Sequence, residues 1–165
     1  MKRRRRTAAE LVANLSTDPE YRARVADRDR KIAAKVAEYA SEDAILAREA
    51  AELGYAISSV WDFVNNAPHP FLARKFIGPY ERAYPMLIRH LSLPHHPRVR
   101  EGIIRALSVR DGGTTLANHL LTEFLCEPDA NLKWVLASAL RIAMPYNQRR
   151  RYPEIAATLK RAGSI

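Results

Sequence analysis

The chain has 165 residues, of which 47% are hydrophobic and one is cysteine; that is enough apolar material to bury a core as one compact unit, and it leaves no intramolecular disulfide framework. Against 18 Asp and Glu stand 27 Lys and Arg, a net charge of +9, which biases the molecule toward polyanions or acidic protein surfaces. No apolar run approaches the roughly 20 residues a membrane helix needs, and the block Met1–Arg6 is followed by TAAELVANLSTD, too polar for a signal peptide, so the expectation is a cytoplasmic protein with no membrane association.

In chain order, Lys2, Arg3, Arg4, Arg5 and Arg6 form a basic tail over residues 1–6. Thr7 and Glu10 have the spacing of a capping box, which predicts a short helix to about Leu15. Asp18 before Pro19 reads as an N-cap followed by a first-turn proline. Tyr21, Val25, Ile32, Val36 and Tyr39 then recur at helical spacing, predicting a helix from Pro19 to about Ala40. Ser41, Glu42 and Asp43 suggest the start of another helix, stopped by Gly54 in a left-handed conformation. A further short helix is expected from Ser58 to Val64. These elements make up an N-terminal helical segment, residues 7–66.

Past a Pro-rich bend at Ala67 to Phe71 the chain repeats itself, over a segment taken as residues 67–165. AYPMLIRHL and HPRVREGIIRAL lie over TTLANHLLTEF and DANLKWVLASAL at an offset of 33, pairing Leu87 with Leu120, Val99 with Leu132, Ile103 with Leu136, Ala106 with Ala139 and Leu107 with Leu140. A third, partial copy, RYPEIAATL, follows AYPMLIRHL at an offset of 68, with Tyr152, Pro153, Ile155 and Leu159 matching Tyr84, Pro85, Leu87 and Leu91. Two-helix units of this period cannot bury an apolar stripe alone and must stack on one another. Val99, Ile103, Ala106 and Leu107 fall on one arc of their helix, opposite Arg98, Glu101, Arg105 and Ser108. In the next copy Leu132, Val135, Leu136, Ala139, Leu140 and Ala143 are the buried set.

On these residues VREGIIRALSV and LKWVLASALRI resemble second helices of HEAT repeats, a likeness covering roughly residues 80 to 161. It implies an all-α fold, a short α-solenoid of HEAT-like helical hairpins behind a less regular helical N-terminal half. It also implies a curved stack whose second helices line the concave side, and binding more often than catalysis.

Candidates for chemistry are few. His69, His90, His95, His96 and His119 make no HExxH or paired Cys-His spacing, and His95 and His96, in the turn LPHHP, read as solvent-exposed turn residues. Cys126 reads as a small buried apolar group. Gly112 and Gly113 are a helix stop and restart, with no preceding strand to make a phosphate loop. No catalytic residue, metal ligand or cofactor is assigned. Trp61 and Asp62 carry a two-residue likeness to the aromatic and acidic groups of HEAT-like alkylpurine DNA glycosylases, set against a core tryptophan beside a capping aspartate.

The repeat register projects a contact surface instead. Arg98, Glu101 and Arg105 correspond to Asn131, Trp134 and Ser138, with Arg141 one turn on, and Trp and Arg are the residue types most enriched in binding hot spots. The partner-binding set is therefore Arg98, Glu101, Arg105, Trp134 and Arg141; the competing reading packs Trp134 against the helix from Glu154 to Arg161. The function expected is a non-enzymatic protein-interaction module with an acidic-surfaced partner. The alternative is a nucleic-acid-binding protein, possibly glycosylase-like, using Lys2 to Arg6, the Arg22 to Lys31 helix, and Arg149, Arg150 and Arg151 as phosphate contacts. Asp27, Asp29 and Glu20, interleaved with those arginines, point to a merely solvated mixed surface.

Overall fold

The computed structural model describes residues 7, 17–66 and 77–162. Among these the chain is helical, with eight α-helices, one 3-10 turn and no strand. It divides into two units, Met1–Ala40 and Ser41–Ile165. The basic tail, the expected helix after Thr7 and the Pro-rich bend lie outside the described residues, Thr7 apart.

The first described helix, α1, runs from Pro19 to Glu52 without a break. Its start follows from sequence: Pro19 takes the first helical position, and the Asp18 carboxylate accepts the Glu20 amide at 2.9 Å. Ser41 does not begin a new helix, contrary to the sequence expectation. Nothing between Pro19 and Glu52 lacks a backbone N–H or a Cβ, and the acids taken for an N-terminus serve other segments. Asp43, buried, accepts the Val60 amide at 3.0 Å and the Ser59 hydroxyl at 2.8 Å. At the far end Gly54, at φ +90°, stops the helix as expected; its amide bonds the Ala51 carbonyl and the Tyr55 amide bonds that of Ala50, the paired closure that a left-handed residue allows.

Helix α2 is one turn, Trp61–Val64, shorter than the stretch from Ser58. The Ser58 and Ser59 amides are held by the Asp62 carboxylate at 2.7 and 3.2 Å, so those residues form the approach to the helix. After a 3-10 turn at Glu81–Ala83 come α3 (Tyr84–Leu91), α4 (Pro97–Ala106), α5 (Gly113–Cys126), α6 (Ala130–Ala143), α7 (Tyr146–Arg149) and α8 (Pro153–Ala162). Two of these later starts have side-chain caps, as α1 does: His96 Nδ1 accepts the Arg98 amide, and Asp129 accepts those of Asn131 and Leu132.

The residues paired by the 33-position offset share their burial. Leu87 and Leu120, Val99 and Leu132, Ile103 and Leu136, Ala106 and Ala139, and Leu107 and Leu140 are all buried, while Arg98 and Asn131 are exposed and Glu101 and Trp134 half-buried. Helix α6 packs against α4, α5 and α8, and α4 against α2 and α3. Contact of α4 with α2 depends on Gly102, where an added Cβ would stand 2.5 Å from Val60 Cγ1 and 3.1 Å from Trp61 Nε1. Cys126 is a correction: it is exposed, because α5 turns Leu116, Ala117, Leu120, Leu121 and Phe124 inward and Cys126 ends the helix on the other side.

Candidate functional site

Helices α2, α4, α6 and α8 border a groove of about 420 Å³. Helix α4 and the residues just after it contribute Arg105 and Ser108, α6 contributes Trp134, Val135, Ser138, Arg141 and Ile142, and Val64 and Leu159 close the two sides. Three of the five residues projected as a contact surface, Arg105, Trp134 and Arg141, thus meet in one place. Both readings of Trp134 hold a part: it is half-buried and shares the groove wall with Leu159 of α8. Ile142, 41% exposed, adds an apolar edge that the repeat comparison did not single out, although its place beside Arg141 was a signal.

Glu101 and Arg98 stand beside the groove, not in it. Glu101 accepts from Arg105 Nε at 2.8 Å and from Arg98 Nη1 at 3.0 Å, holding Arg105 by one edge and leaving its Nη groups to the groove. The Arg98 guanidinium lies over the Trp61 ring, 3.7 Å from its centroid, a cation–π contact that occupies both partners. Among the described residues no carboxylate lines the groove and none pairs with the Arg141 side chain.

The other sequence candidates disperse. Lys2 to Arg6 lie outside the described residues. Arg149, half-buried, donates to the Arg141 carbonyl at 2.6 Å and to that of Met144 at 3.4 Å, closing the C-terminal end of α6, while Arg150 and Arg151 are exposed. On α1, Asp27 pairs with Lys31 at 2.7 Å and Arg30 at 3.7 Å, and Asp29 with Arg28 at 3.0 Å, the mixed surface that the interleaved acids suggested. Asp62 is occupied by Ser58 and Ser59, including the Ser58 hydroxyl at 3.0 Å.

His95 requires a correction. Its side chain is 9% exposed, not a solvent-facing turn residue, because α1 brings carboxylates to it. Glu49 Oε2 lies 3.1 Å from His90 Nε2, His90 Nδ1 lies 3.1 Å from His95 Nε2, and His95 Nδ1 lies 2.8 Å from Glu42 Oε2. Arg89 also pairs with Glu49, and the His96 amide donates to Glu42 at 2.9 Å. Each end of this chain needs an N–H aimed at a carboxylate and its centre needs one N–H between rings. Which ring nitrogen donates in each contact is set by the tautomers of the two imidazoles. Pairing of this kind is invisible in sequence, since Glu42 and His95 lie 53 positions apart. Among the described residues no cluster of three His, Cys, Asp or Glu side chains is placed to hold a metal ion.

Burial pushes the Glu42 carboxyl up, but the His96 amide and the His95 ring outweigh it and hold it below the usual carboxylate range. For Glu49 burial acts the same way and is outweighed by His90 and then Arg89. A depressed folded-state value stabilises the fold above the unfolded value and loses that contribution as pH falls through the folded one. Glu42→Gln is therefore expected to cost about 1–2 kcal/mol at pH 7, as for hydrogen bonds to a charged group. The gap to wild type should close below about pH 4, under the ordinary carboxylate value. Urea unfolding of both proteins at pH 7 and pH 3 checks this; a gap that widens in acid would contradict it.

No helix among the described residues is long and apolar enough to cross a membrane. The chain matches no protein-family model, no curated protein and no solved structure.

Proposed function

We propose that the chain is a non-enzymatic interaction module, a short HEAT-like stack in which the groove bordered by α4 and α6 receives an acidic segment of a partner protein. The observation that carries this reading is the meeting of Arg105, Trp134 and Arg141, from two repeat units, in one groove that no carboxylate among the described residues lines. An aromatic wall with Val135, Ile142 and Leu159 suits an apolar anchor, and two guanidiniums suit carboxylates beside it. The stacking reading is supported by the shared burial of the offset pairs and by the packing of α4 on α6 and of α3 on α5.

The test is a pull-down from native lysate with wild type and a Trp134→Ala, Arg105→Glu double variant, followed by titration of each captured protein in purified form. A partner whose affinity falls about a hundredfold or more in the double variant is expected, the size of a lost aromatic hot spot with a reversed charge. Identical partner lists with unchanged affinities would overturn the assignment. So would micromolar binding of duplex DNA at physiological salt, which the double variant leaves intact.

A further inference from the structure

The groove at Trp134 is unbalanced in charge and in hydrogen-bonding groups, and both imbalances describe its occupant. Among the described residues the one carboxylate paired with its arginines is Glu101, and it is shared, by Arg98 at 3.0 Å and Arg105 at 2.8 Å. Arg141 is exposed, and what it offers Arg149 is its main-chain carbonyl, which leaves the guanidinium unengaged. Three guanidiniums thus stand against one carboxylate, an excess of two positive charges. The Ser138 hydroxyl and the Trp134 indole N–H also have no hydrogen-bond partner among the described residues. Ser108 differs, giving its proton to the Ile104 carbonyl at 3.0 Å. The unengaged polar groups of the lining are therefore mostly donors. Arg105 and Arg141 come from different helices, so a single carboxylate, whose two oxygens fit one guanidinium fork, leaves the second fork bare. A phosphoryl group has three acceptor oxygens and carries about two negative charges at neutral pH, which matches both the excess charge and the two forks.

We infer that the acidic group this groove receives is the phosphoryl group of a phosphorylated tyrosine in the partner segment, its ring against the Trp134 wall and its oxygens between Arg105 and Arg141. The inference rests on the groove reading above and names the chemistry of its occupant. The cations and the apolar wall belong to one groove of about 420 Å³, so a single side chain fills it best if it is apolar along its body and dianionic at its tip. Phosphoserine carries its charge close to the main chain and has no body to lay against Trp134, Ile142 and Leu159. A tyrosine ring does, and it packs on an indole in offset or edge-on contact. A mononucleotide also joins a ring to a phosphate, but the polar edges of its base would go unpaired against Val135, Ile142 and Leu159.

The probes are the N-acetyl amides of phosphotyrosine, phosphoserine and para-carboxymethyl-phenylalanine, the last placing one carboxylate where the phosphoryl group would be, with adenosine monophosphate as a fourth. Each is titrated into the full-length chain and followed by the indole N–H signals of its two tryptophans in heteronuclear NMR. Trp61 Nε1 is buried, so its signal is the reference and that of Trp134 the reporter. The phosphotyrosine amide should bind at least about tenfold more tightly than any of the others. Its affinity should fall as pH drops through about 6, where the phosphoryl group takes up its second proton, while the carboxymethyl compound, still ionised there, keeps its own. Arg141→Gln should cut the preference for phosphoryl over carboxymethyl to less than about threefold. Helix content should not change, because that side chain is exposed and unpaired among the described residues. Equal binding of the phosphotyrosine and carboxymethyl amides would overturn the inference and leave the acidic-segment reading standing. Tighter binding of the phosphoserine amide, or a phosphoryl preference indifferent to Arg141→Gln, would do the same. Tighter binding of adenosine monophosphate, or a Trp134 signal that no probe moves, would overturn both.

Discussion

Replacing Arg100 by methionine is expected to destabilise the fold by about 3–5 kcal/mol at neutral pH, the cost of stranding buried charge. Arg100, on α4, donates through Nη2 to Glu123 at 2.8 Å, through Nε to Glu127 at 3.2 Å, and through Nη1 to the Leu91 carbonyl at 2.7 Å. Its side chain is 16% exposed and those of Glu123 and Glu127 are 19% and 6%. One guanidinium therefore bridges two carboxylates, offsetting one of their two charges, and ties the ends of α3 and α5 to α4. Methionine fills the space of the stem but leaves two acids near each other with no counterion and one carbonyl without its donor. Adding Glu123→Gln and Glu127→Gln to the variant should recover at least half of the loss at pH 7, because a glutamine side-chain oxygen in place of Glu127 Oε1 can still accept the Asp129 amide, held at 3.0 Å in the wild type. Urea unfolding followed by helix signal measures all three proteins. A single variant within 1 kcal/mol of wild type, about the worth of an exposed ion pair, would show that the cluster is not dry enough to matter.

A loss of similar size, about 3–5 kcal/mol, is expected for Leu136→Ala, from lost transfer energy and the cavity left behind. Leu136 is fully buried on α6, the helix that packs against α4, α5 and α8 together. A void at this point is walled by elements that cannot all move in, so little of the cavity collapses. Ile142→Ala on the same helix is the comparison: with 41% of its surface exposed it should cost less than about 1 kcal/mol. Comparable losses at the two positions would mean that α6 is not the centre of the packing. Because Ile142 lines the groove, the same variant should weaken partner binding while leaving the fold nearly as stable as wild type.

Much of this molecule was legible in the chain before any coordinates. Short-range signals carried the helix start at Asp18 and Pro19 and the stop at Gly54, since each depends on residues within a few positions of one another. The 33-residue repeat carried the buried set of α4 and α6, because a helix face repeats every turn and a stacked unit repeats every pair. The same register brought Arg105, Trp134 and Arg141 toward one surface before the groove was visible. Local chemistry misled where its groups were used at a distance: Ser41, Glu42 and Asp43 have the composition of a helix start, yet Glu42 and Asp43 bond His95, Ser59 and Val60 in other segments. Arg98 and Glu101 shared the register of the groove residues, but Trp61 drew Arg98 aside, an attraction set by the packing of α2 on α4. Only tertiary structure could place His95 against Glu42 and Arg100 against Glu123 and Glu127. Side chains that meet across tens of residues are chosen by how helices pack, and a sequence with one period describes each helix but not which charged group on it will be covered by the next.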